Sequence, residues 1–191
     1  VDGSRLQFAP PKDNGVFANV VELSLYGINA QGKPLQGLRT ALDLTLRPDT
    51  HERVKRYGLR ANPRIELPPG RYQLRVGVRE SGAGEMGTVF YDLDVPDFGR
   101  EPVAMSGLLL TAPSVQRVFT VQPDATVGTV LPGAATSRRR FTTSDTLAVH
   151  SEIYATVGEI VPRVDVTTRL IAESGKEVSV ARDELSGGTA A

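Results

Sequence analysis

The clearest alternation of apolar and polar positions lies at Leu67 to Val78, LPPGRYQLRVGV. In an extended chain Tyr72, Leu74, Val76 and Val78 share one face, while Arg71, Gln73, Arg75 and Arg79 share the other. Gly70 gives the preceding turn a position free of Cβ clash, and Pro68 and Pro69 stiffen the approach. Tyr72 is placed to bury its ring while its hydroxyl reaches nearby backbone, in the manner of a tyrosine corner. The pattern predicts a β-sandwich strand.

The same period recurs along the chain. Phe17, Val21, Leu23 and Leu25 alternate with Glu22 and Ser24, and the run enters the turn-rich GINAQGKPLQG, which predicts a strand and hairpin. Leu42, Leu44 and Leu46 face inward from Asp43, Thr45 and Arg47. A further strand is expected over His51–Leu59. After the turn SGAGEMG, Val89, Tyr91, Leu93 and Val95 share a face of a returning strand over Thr88–Val95. The segment VPDFGREPV, with two prolines and a glycine among charges, has the composition of a linker, which puts a boundary near Gly99. Beyond it, strands are expected at Ser106–Thr111, Arg117–Val121, Phe141, Thr146–Ala155 and Val164–Ile171, separated by turns at QPD, LPGAATS and ESGK. No long amphipathic helix is expected. The fold class read from this pattern is all-β: two tandem immunoglobulin-like antiparallel β-sandwich domains, residues 1–98 and 99–191. The second half has no counterpart of LPPGRYQLRV and the tail after Leu185 is small and polar, so its sandwich is expected to be incomplete at the C-terminal end.

Composition narrows the functional classes. A chain of 191 residues, 40% hydrophobic and only 6% aromatic, fills its cores mainly with aliphatic side chains. Lys plus Arg (22) balances Asp plus Glu (22), so the chain lacks the overall basic field that supports nucleic-acid or anionic-membrane binding. The basic residues are nearly all arginine, with lysine only at Lys12, Lys33, Lys55 and Lys176. The absence of cysteine removes disulfides, thiolate metal sites and cysteine nucleophiles together. No apolar run approaches the roughly 20 residues of a membrane helix, so no membrane insertion by this chain is expected, and VDGSRLQF lacks a signal pattern.

Residues with candidate chemistry have ordinary readings beside them. His51 lies between Asp49 and Glu52, a weak metal constellation better read as a solvated strand edge. His150 and Glu152 are two apart, which suits a structural cross-strand pair more than a shared ligand. Asp92, Asp94 and Asp97, with Glu101 beyond, are the calcium candidates, since oxygen ligands stack at such junctions in cadherin-like modules. Calcium needs six to eight converging oxygens, and solvation accounts for these acids without it. Arg138, Arg139 and Arg140 form the one basic run and read as a solvated loop. Tyr72 and Tyr91 are expected in the core rather than on a sugar platform with Phe90. No G-x-S-x-G, phosphate loop, HExxH or dinucleotide fingerprint occurs, and Ser106 before Gly107 sits at a strand start, so no catalytic residue, cofactor or enzymatic activity is expected.

The motif PPGRYQLRV at Pro68, a glycine turn, and G-x-V-x-YDL-x-VPDF from Gly87 to Phe98 resemble the β-sandwich region that follows the von Willebrand A domain in bacterial VWA-related secreted proteins. MSGLLL from Met105 looks like the strand opening the next module. FTTSDTLAVHSEIY, Phe141 to Tyr154, is similar to a strand found there and in GWxTD-type bacterial proteins. The A domain itself is absent, because Asp2-Gly3-Ser4-Arg5-Leu6 lacks the second serine of its metal-binding motif. The resemblance covers about half the chain and implies a structural module that is periplasmic, cell-surface or secreted, with a protein partner. The alternative is a carbohydrate- or calcium-binding module.

Overall fold

A computed structural model describes residues 1–11, 15–123, 125–155 and 163–185. In chain order the elements are β1 (Phe17–Asn29), β2 (Pro34–Leu46), α1 (Pro48–Tyr57), β3 (Leu59–Ala61), β4 (Gly70–Glu80), β5 (Met86–Val95), β6 (Val103–Met105), β7 (Leu109–Thr111), β8 (Phe119–Val121), α2 (Ala125–Val130), β9 (Ala148–His150), β10 (Ile153–Ala155), β11 (Val164–Ile171) and β12 (Glu177–Leu185). Strands dominate, and among the described residues every pairing is antiparallel except β3 with β8. The chain is mostly β, as its period of two predicts. No helix among the described residues is long and apolar enough to cross a membrane.

Contacts group the chain into two compact units, one of Val1–Asp97 with Gly107–Ser151, the other of Phe98–Ser106 with Glu152–Ala191. This division differs from a single cut near Gly99. Residues 107–151 join the first unit because Leu59, Arg60 and Ala61 pair in parallel with Phe119, Thr120 and Val121. Arg60 adds hydrogen bonds to the Thr120 hydroxyl at 3.3 Å and the Val115 carbonyl at 3.2 Å.

The first unit is organised by a four-stranded sheet in the order β2-β1-β4-β5. Register pairs Leu23 with Val78 and Leu25 with Val76, so the apolar positions read from the sequence line one face. Over the β1–β2 half of that face packs a core of Leu6, Val21, Leu42, Leu44, Leu46, Val54 and Leu59, joined at its margin by Phe8, Val78, Phe119 and Val121. Removing each such side chain from water contributes about 1.5–3 kcal/mol.

The strand expected over His51–Leu59 is instead α1. Pro48 opens it where a missing N–H costs nothing, Asp49 and the pair Lys55 and Arg56 match the two ends of the helix dipole, and Gly58 ends it. Gly58 has φ 81° and ψ −178°, a region open only to glycine, and a Cβ there would lie 2.5 Å from the Val1 carbonyl oxygen. The helix brings Val54 and His51 together on its buried side, three residues apart.

In the second unit β6 pairs with β10, and the Ser106 backbone N–H bonds to the Glu152 carbonyl while the Ser106 hydroxyl accepts the Glu152 N–H, both at 2.8 Å. Phe98 and Tyr154 rings lie 4.9 Å apart. The hairpin β11–β12 includes a strand after ESGK that the sequence pattern did not yield. Phe141 lies outside any strand, and the stretch Thr146–Ala155 is broken into β9 and β10. The proposed tail after Leu185 lies outside the described residues.

Candidate functional site

The sequence-selected residues do not converge. His51 is not at a solvated edge: it is 7% exposed, with its ring stacked at 3.8 Å on Phe17 and edge-on to Phe8 at 4.8 Å. Its Nδ1 lies 3.5 Å from a Glu52 carboxylate oxygen, and both aromatic neighbours make the site a packing position. His150 closes β9, whereas Glu152 precedes β10 and accepts a hydrogen bond from the Tyr154 hydroxyl, so the two are not on one strand. That bond raises the Tyr154 phenol above its ordinary range. Asp92 and Asp94 are exposed on β5, and Asp94 faces Arg71 at 3.7 Å. Among the described residues no group of three or more metal-ligating side chains occurs. Arg139 spends its guanidinium on the carbonyls of Thr136 and Arg138.

Tyr72 behaves as expected: it is buried and donates its hydroxyl to the Pro68 carbonyl at 2.8 Å. Tyr91 does not, being 63% exposed. The reason is the extent of the overlying layer, since α1, β3 and β8 cover the β1–β2 side of the sheet and Tyr91 lies on edge strand β5.

On the same face of the sheet lies a cleft of about 1140 Å³ within the first unit. Leu23, Val76, Val78 and Val89 supply the apolar floor, and the far wall comes from residues 114–118 and 136–138. Its rim is cationic. Arg56, Arg60, Arg117 and Arg138 all line it, and Tyr57 holds the Arg56 guanidinium 5.3 Å and that of Arg117 5.9 Å from its ring centroid. Burial lowers the Arg60 guanidinium from its usual range, though a guanidinium remains charged.

The carboxylates in the cleft are already engaged. Glu80, 3% exposed, accepts hydrogen bonds from Asn19 Nδ2 at 2.6 Å and from the backbone N–H groups of Gly82 at 2.8 Å and Ala83 at 2.6 Å. Burial works to raise its pKa, but these bonds with one from Gly84 prevail and hold it below the usual glutamate range. Glu85 faces Arg5 at 3.8 Å, and Asp2 accepts from both the Ser4 N–H and hydroxyl. No carboxylate of the described residues pairs with Arg56, Arg60, Arg117 or Arg138. Sequence reasoning missed this cluster, because its arginines are scattered over more than 80 positions and only the fold gathers them.

Beside the cleft, β5 is an edge of the sheet. The Glu80 N–H bonds to the Glu85 carbonyl, and antiparallel alternation then turns the backbone groups of Met86, Thr88 and Phe90 outward. Met86 is 74% exposed, Val89 63% and Phe90 59%, an uncovered apolar edge. Compared with models of known families, with curated proteins and with solved structures, the chain finds no match in any of the three.

Proposed function

We propose that this chain is a non-enzymatic structural or protein-interaction module of an exported bacterial protein, and that its partner docks along β5. The observation that carries the reading is the edge itself: a ten-residue strand without proline or lysine whose Met86, Val89 and Phe90 are open to water. Such edges pair with other chains unless covered or charged. Asp92 and Asp94 guard only its C-terminal part. The likeness of Pro68–Val78 and Gly87–Phe98 to the region after the A domain of VWA-related proteins supports the extracytoplasmic setting. The tyrosine corner and the antiparallel β4–β5 hairpin support an immunoglobulin-like relationship for the sandwich.

The test is a selection of binders from displayed random peptides, scored against Thr88→Pro. Thr88 turns its N–H outward, so proline there removes an edge donor while sparing the bonds to β4. Peptides that bind the parent chain and are lost with T88P, whose circular dichroism is unchanged, support edge docking. Binders indifferent to T88P, or none at all, overturn it.

A further inference from the structure

The cleft and the β5 edge are one continuous surface, since Gly87, Thr88 and Val89 of β5 line the cleft that Arg117 and Arg138 close from the opposite wall. We propose that the occupant is an acidic, extended segment of a partner protein, added as a further strand on β5 with its carboxylates turned to Arg117 and Arg138. The inference rests on the edge-docking reading and supplies the partner's chemistry.

Alternation decides how such a strand presents itself. Side chains of β5 alternate, Gly87, Val89 and Tyr91 on the sheet face that bears Val76 and Val78, and Met86, Thr88 and Phe90 on the other, with Met86 and Thr88 also bordering the cleft. A strand laid beside it obeys the same period, so one set of its side chains meets the cleft and the other meets Met86 and Phe90. The cleft side offers guanidinium groups that no carboxylate of the described residues pairs with; on the opposite side Met86 and Phe90 offer apolar surface, with the Arg75 guanidinium 5.7 Å from the Phe90 ring centroid. A partner reading acidic, apolar, acidic, apolar satisfies both. Arginine suits the task, because its planar fork binds a carboxylate through two hydrogen bonds.

The zero net charge of the chain conceals this local imbalance. Of the acids in the cleft, Glu80 is occupied by hydrogen bonds from Asn19 and the hairpin turn, Glu85 faces Arg5, and Asp2 is turned to Ser4. An incoming carboxylate therefore competes with none of them for Arg117 or Arg138. The Tyr57 ring has the Arg117 guanidinium 5.9 Å from its centroid, which holds it near the cleft before a ligand arrives and reduces the ordering cost of binding.

The experiment uses two blocked, fluorescently labelled peptides with Gly-Ser tails, one alternating Glu and Val and its twin alternating Gln and Val, titrated against the full chain by anisotropy. The Glu peptide is expected to bind about tenfold more tightly, and the double variant Arg117→Gln, Arg138→Gln to bring the two peptides together. Both arginines are exposed, so the double variant is expected to fold, which its melting curve checks. Equal binding of the twins, or a preference that survives the double variant, overturns the acidic assignment. If the twins bind equally and both are lost with T88P, edge docking stands and only the acidic chemistry fails. If the acidic preference stands but T88P leaves it intact, the strand-pairing geometry fails.

Discussion

Asn19 and Glu80 meet in the interior through a 2.6 Å hydrogen bond from Nδ2 to Oε1, running diagonally between β1 and β4, since the register partner of Glu80 is Val21. The same carboxylate receives the N–H groups of Gly82 and Ala83, so one buried charge ties the β4–β5 turn to the centre of the sheet. Because its pKa is depressed in the folded state, its contribution is present in full above the ordinary glutamate pKa and is lost as pH falls through the folded value. Glu80→Gln is expected to lower stability by about 1–3 kcal/mol at neutral pH. The check is urea unfolding at a series of pH values, in which the variant also loses part of the acid dependence shown by the parent chain.

The Tyr72 hydroxyl offers a cleaner deletion. It donates to the Pro68 carbonyl at 2.8 Å, and the ring stays buried without it. Tyr72→Phe should cost about 0.5–1.5 kcal/mol with no change in the far-ultraviolet spectrum. A variant as stable as the parent in urea would show that the corner contributes nothing beyond the packing of its ring.

Gly58 tests the junction that ends α1 and leads into β3. With φ at 81° and the Val1 carbonyl oxygen 2.5 Å from where a Cβ would stand, Gly58→Ala carries both backbone strain and a clash. A loss of about 1–3 kcal/mol is expected from the strain alone. Thermal unfolding of G58A measures it, and an unchanged midpoint would contradict the geometry.

The strands with strict alternation were legible because half-buried sheets impose a period of two, and β1, β2, β4 and β5 all carry it. The helix was missed although its punctuation is present: Pro48 and Asp49 at the start and Lys55, Arg56 and Gly58 at the end outweigh the short apolar set of His51 and Val54. Tyr91 was misplaced because a strand's period says which face a side chain takes, not whether anything covers that face. The cationic rim was illegible for a different reason. Arg56, Arg60, Arg117 and Arg138 share a cleft through long-range contacts, among them the parallel pairing of β3 with β8 and the bridge of Leu110 with Thr136, and long-range pairing leaves no mark in local sequence.

That parallel pairing sets an order of events during synthesis. Leu59–Ala61 must wait for Phe119–Val121 to leave the ribosome, while the intervening chain, including the whole of β4, β5 and β6, has already emerged. The β1–β2 and β4–β5 hairpins can form from neighbours alone, but the side of the core at Leu59 stays open until then. A nascent chain released at Gly99 would therefore hold a sheet whose greasy surface has lost part of its roof.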